Sequence, residues 1–172
     1  MAQGWDGKRV FFQDGDALVY SFPKLREVLQ YLNEKLPCVE RIGTYATAQD
    51  ILRRSLDELK ELKRLKMSIF YTGLETGDDE LLQKIGKGVS SDELVEAGKK
   101  VKEAEISFSV TIILGLGGIE GSKKHVFETA KILTEMDPDY VGALTLTLVP
   151  STPLYEQWER NEFHPLSPFQ SL

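Results

Sequence analysis

A chain of 172 residues, 41% hydrophobic and 28% charged, carries enough apolar surface for one core, and one domain is expected over residues 1–172. Its formal charge of −6 argues against a general nucleic-acid or anionic-membrane binder, because a phosphate surface needs a cationic face; a small-molecule ligand is expected instead. No apolar run reaches the roughly 18 residues of a membrane span and no signal-peptide core follows the early basic pair, so a cytoplasmic protein is expected.

The predicted elements alternate. KRVFFQ (8–13) is a first strand ending at Asp14-Gly15-Asp16. Pro23 suits the first turn of a helix whose apolar face is Leu25, Val28, Leu29, Leu32 and Leu36. Cys38, the only cysteine, excludes an internal disulfide and any site built from several thiolates of this chain; beside Pro37 it reads as a small core residue. VERIGTYA (39–46) is a second strand. Ser55 and Glu58 then form a capping-box signature before Leu59, Leu62 and Leu65.

KMSIFYTGL (66–74) is a third strand, and Ser90 with Glu93 repeats the capping signature before Leu94, Ala97 and Val101. SFSVTIILGLGG (107–118) is a fourth strand. After it, Ser122 is placed to cap a helix with the stripe Val126, Ala130 and Leu133. YVGALTLTLV (140–149) closes the series before Pro150, and PLYEQWERNEF starts a last helix. His125 and His164 are too far apart in sequence to suggest a metal site.

Strand then helix, repeated, implies parallel strands and right-handed crossovers, which both a doubly wound sheet and a (β/α) barrel satisfy. In either, residues just past the strand ends share the rim where ligands bind. Those ends are Asp14-Gly15-Asp16, Thr44-Tyr45, Gly73-Leu74-Glu75 and Gly115-Leu116-Gly117-Gly118. Asp-Gly is a common turn dipeptide, Tyr45 suits a half-buried ring with its hydroxyl in water, and Lys87 suits a helix C-terminus. Glu75, directly after an apolar strand, asks for a polar partner.

In that order, FQDGDAL, GTYATAQDIL, YTGLETGDDELLQKIGKGVS and VTIILGLGG resemble the strand-end motifs of radical S-adenosylmethionine enzymes, in the branch of oxygen-independent coproporphyrinogen oxidase and related iron–sulfur oxidoreductases. The resemblance runs over residues 8–157. It implies an α/β fold of the radical SAM type: a partial, TIM-barrel-like (β/α) barrel of about five parallel βα units, matching the family's second to sixth strands. The cofactors it implies are S-adenosylmethionine and a [4Fe–4S] cluster. In the family a CxxxCxxC loop holds that cluster. These residues lack the loop, so the chain is expected to ligate no cluster and to be inactive alone, either as a fragment of a longer enzyme or as a degenerate domain.

By resemblance, Asp14, Gly15 and Asp16 lie where the family receives the methionine amino group, although they depart from its Gly-Gly-Glu. Thr44 and Tyr45 lie on the ribose side, Glu75 faces the ribose hydroxyls, and Lys87 pairs with the methionine carboxylate. Thr111, Gly115, Leu116 and Gly117 match the adenine motif. That motif starts with glycine where this chain has Thr111, and no Glu stands at Gly118, so only its main-chain role carries over. The substrate stays open. An uncovered first strand with two phenylalanines is expected to favour self-association. The competing reading is a non-catalytic (β/α) scaffold that binds a phosphorylated metabolite at Gly115–Gly118.

Overall fold

The computed structural model describes residues 7–167, 169 and 170. Five strands form one parallel sheet: β1 (Arg9–Asp16), β2 (Arg41–Tyr45), β3 (Met67–Glu75), β4 (Ser107–Leu114) and β5 (Tyr140–Thr145). Between them run α1 (Phe22–Lys35), α2 (Ala48–Arg53), α3 (Leu56–Arg64), α4 (Asp79–Lys84), α5 (Ser91–Glu103) and α6 (Gly118–Met136), and α7 (Pro153–Glu159) follows β5. The strand order is sequential, β1 to β5. A doubly wound sheet would reverse direction part-way, so the order selects the barrel-like architecture.

Strand alternation divides the sheet into two faces. Ile42, Phe70, Leu74, Phe108 and Val110 point into one core cluster with Leu29, Leu59, Leu62, Leu94, Val101 and Ile132 from the helices. The register places Phe11 beside Gly43, Tyr45 beside Tyr71, and Gly73 beside Thr111 on the opposite face. Gly43 is required there, since a Cβ would come within 3.0 Å of Ile69 and 3.1 Å of the Phe11 ring. Both predicted capping boxes form, at Ser55/Glu58 and Ser90/Glu93.

Several expectations need correction. α6 is not capped by Ser122: its N-cap is Gly117, and the Ile119 N–H donates to the His164 carbonyl (2.9 Å), so the helix starts a turn earlier. Its buried face is His125, Thr129, Ile132 and Met136, while Val126 is 58% exposed. Along α1, Leu25 and Leu29 are buried but Val28 and Leu36 are exposed. Cys38 is an exposed residue ahead of β2, its thiol directed at the Gly7 carbonyl (3.6 Å). β5 ends at Thr145 because β4, its neighbour, ends at Leu114. Among the described residues β1 pairs only with β2 and β5 only with β4, leaving both sheet edges open.

Phe70 is fully buried between β2 and β4. Phe70→Ala should cost about 3–5 kcal/mol in urea unfolding, against about 1 kcal/mol for loss of the Ser90 cap in Ser90→Ala. Equal costs for the two would contradict this placement of the core.

Candidate functional site at the strand ends

Because all five strands are parallel, Asp16, Tyr45, Glu75, Leu114 and Thr145 end on one rim. β1 reaches it through an irregularity between Phe12 and Asp16, with positive φ at Asp14 (66°) and Gly15 (140°). Both oxygens of Asp16 accept there, one from the Leu18 N–H (2.7 Å) and the other from the Thr47 N–H (2.6 Å). It ties β1 to the start of α2. Asp14 is exposed and makes no hydrogen bond or ion pair among the described residues.

At the end of β2 the two predicted residues separate. Thr44 is completely buried on the helix side and its hydroxyl donates to the Tyr45 carbonyl (3.0 Å), so it does not reach the ligand face. Tyr45 does. Its ring packs edge-on against Phe11 and Tyr71, with centroids 5.0 and 6.4 Å away, and it remains 51% exposed.

Glu75 and Lys87 come together: the Lys87 ammonium donates to the Glu75 carboxylate at 3.0 Å, and both side chains are about three-quarters buried. Two backbone devices create the pair. Glu75 has φ of 64° inside a three-residue turn closed by the Thr76 N–H and the Leu74 carbonyl (2.8 Å), a strained conformation for a side chain with a Cβ. Lys87 follows Gly86 (φ 67°) in a Schellman motif, the Lys87 N–H donating to the Leu82 carbonyl (2.9 Å) and the Gly86 N–H to the Gln83 carbonyl (3.1 Å). The carboxylate lies directly over Gly73, where a Cβ would fall 2.1 Å from it and 3.2 Å from the ammonium.

The turn that carries Glu75 is held from α6. Gly77 packs so tightly on that helix that a Cβ would sit 2.4 Å from the Glu128 carbonyl oxygen. Its N–H donates to the Thr129 hydroxyl (2.9 Å), and the Thr76 hydroxyl is 2.8 Å from His125 Nδ1. Asp78 caps α4 and pairs with Lys124 (3.1 Å). Sequence reasoning missed His125, Thr76 and Thr129. The available signal was a stripe of small and polar residues, Gly117, Gly121, His125 and Thr129, at four-residue spacing along one helix face.

On β4, Thr111 is half-buried on the ligand face beside Gly73. Gly115 (φ 84°) and Gly118 (φ 62°) turn the chain into α6, Leu116 is buried, and the Gly118 N–H donates back to the Gly115 carbonyl (3.0 Å). Phe163 and His164 cover the helix end: a Cβ on Gly118 would meet the His164 carbonyl at 2.9 Å. That occupancy removes the open helix N-terminus on which the phosphate reading relied.

The sequence model of the Radical SAM superfamily matches residues 1–130. The chain belongs to the radical SAM superfamily. The heme chaperone HemW of Bacillus subtilis is 22% identical over 160 residues, which take in 92% of this chain and 42% of HemW. The tRNA uridine(34) acetyltransferase of Methanocaldococcus infernus is 27% identical over 95% of this chain and 30% of its own length. Among solved structures, the radical SAM enzyme coproporphyrinogen III oxidase (HemN) of Escherichia coli superposes with a TM-score of 0.72 at 14% identity, over 95% of this chain and 37% of HemN. The chain thus spans less than half the length of each of these relatives.

Burial lowers the pKa of His125 below its ordinary 6.5, opposed by the Ile113 carbonyl and the Asp78 charge. The unfolded chain therefore takes up a proton near pH 6.5 that folded His125 resists, and stability should fall as pH drops through that range. His125→Asn should flatten this limb of the stability–pH curve, with a slope difference of at most about 1.4 kcal/mol per pH unit. Identical curves for the two proteins in urea titrations from pH 7.5 to 5 would contradict a neutral buried imidazole.

Proposed function

We propose that this chain supplies the S-adenosylmethionine-binding portion of a radical SAM iron–sulfur enzyme. The observation that supports it most is the Glu75–Lys87 pair, held over Gly73 at the rim by a strained turn at Glu75 and the Schellman turn after α4. A carboxylate at this position can accept from both hydroxyls of a ribose diol, and an ammonium beside it can bind a carboxylate. Asp14, with its oxygens unengaged, is the acceptor proposed for the methionine amino group; Asp16, whose oxygens are both used, holds the strand end in place. On β4 the residue proposed to border adenine is Thr111, half-buried on the ligand face beside Gly73; Gly115 is itself buried, with Leu146 and Leu166 packed 3.8 Å from where a Cβ would lie.

Cys38, the single thiol in the sequence, lies at the N-terminal end of β2, across the sheet from this rim, and does not fit a cluster site facing the pair. Bound S-adenosylmethionine facing a reduced [4Fe–4S] cluster supplies one-electron, hydrogen-abstracting chemistry. The role proposed for these residues is narrower: they bind and orient the cofactor, and the chain alone does not cleave it. Tyr45, Tyr71 and Phe11 floor the same face and would keep water from the bound ligand.

Isothermal titration of the 172-residue chain with S-adenosylmethionine should give a saturable heat, weakened about tenfold or more in Glu75→Ala and Lys87→Ala, as expected for loss of a charge-assisted hydrogen bond. No heat at millimolar ligand, or unchanged affinity in both variants, would overturn the reading.

A further inference from the structure

His125 is the most buried titratable group outside the rim, and its partners all lead to the rim. The Thr76 hydroxyl oxygen accepts from the Asp78 N–H (3.0 Å), which leaves its own proton for His125 Nδ1 at 2.8 Å. With that proton donated, Nδ1 is the acceptor nitrogen and the other ring nitrogen carries the hydrogen. Hydrogen bonds thus run from α6, through His125, to Thr76, the residue that closes the turn at Glu75. Thr129 adds a second clamp one helical turn on, taking the Gly77 N–H at 2.9 Å.

We propose that His125 is a positioning residue: through Thr76 it anchors the turn after β3 to α6 and so holds the Glu75 carboxylate over Gly73. Burial supports a role beyond packing. An apolar side chain would fill this space between α6 and the loop, yet the helix presents His125 and Thr129, at 3% exposure each, to Thr76 and Gly77, the two residues that follow the strained Glu75. The inference rests on the cofactor reading of Glu75 for its ligand, but its geometric claim stands without any ligand.

The test uses the full chain with His125→Leu, which removes the acceptor, and His125→Asn, whose amide oxygen can replace Nδ1. Without ligand, proton NMR should show contacts from the Glu75 γ-methylene and Lys87 ε-methylene to the Gly73 α-protons in the wild type and in His125→Asn, and their loss in His125→Leu. Persistence of those contacts in a folded His125→Leu, checked by its retained amide dispersion, overturns the proposal. If His125→Leu does not fold, Thr76→Val removes the same bond from the other side and must give the same loss.

With S-adenosylmethionine, His125→Leu should bind about tenfold more weakly, and that loss should vanish in a Glu75→Ala background. An equal loss in both backgrounds marks a general structural role and overturns the proposal. Wild-type protein that shows the NMR contacts but binds no S-adenosylmethionine sinks the cofactor reading and leaves the positioning claim supported.

Discussion

The geometry at the rim depends on how closely residue 77 can approach α6. With no Cβ, Gly77 lets the loop after β3 rest on the helix backbone at Glu128 and Thr129, a distance at which any side chain would have to displace the main chain. Once the loop is seated there, its polar groups are buried and must be satisfied, and Thr76, Gly77 and Asp78 find their partners in His125, Thr129 and Lys124. Seating also fixes the direction of the preceding residue. Glu75 is turned to a positive φ and its carboxylate is laid back across Gly73, where the Schellman turn after α4 delivers Lys87.

That chain of consequences explains an otherwise odd helix. α6 is the longest in the structure, yet two of its five buried residues, His125 and Thr129, are polar, because they face a loop and not the sheet. Further along, Ile132 and Met136 return to the hydrophobic cluster, and Gly98 of α5 allows the Met136 side chain to lie against it. The helix therefore does two jobs along its length: its C-terminal half closes the core and its N-terminal half holds the rim. The sheet divides its work similarly, with one face buried under helices and the other bearing Phe11, Tyr45, Tyr71 and Thr111.

How much of this could be read from sequence follows from what each element advertises. The strands announce themselves as β-branched and aromatic runs bounded by glycine or aspartate, and parallel pairing follows from the helices between them. Both Ser/Glu capping boxes are local chemistry and form as read. Glu75 and Lys87 stand out because charge after an apolar strand is costly without a partner; that they partner each other depends on two positive-φ turns, which sequence spacing does not reveal. The face of α6 was misread because counting apolar residues selects Val126, Ala130 and Leu133, whereas its tertiary partner is a polar loop. Thr44 and Tyr45 differ by the period-two alternation of a strand: one residue along moves a side chain to the other face. Asp16 is also a structural tie, which the sequence does not reveal because one of its two N–H donors, Thr47, comes from a distant part of the chain.

The central claim is that one rim, preorganised by α6, receives S-adenosylmethionine across β1, β3 and β4. Mapping backbone amide shifts of isotopically labelled protein during addition of S-adenosylmethionine tests it most directly. The account requires the largest changes at Asp14–Gly15, Glu75–Gly77, Lys87 and Thr111, saturating together with one affinity. Changes confined to the opposite end of the strands, around Cys38 and Arg41, or none at all at millimolar ligand, would contradict it.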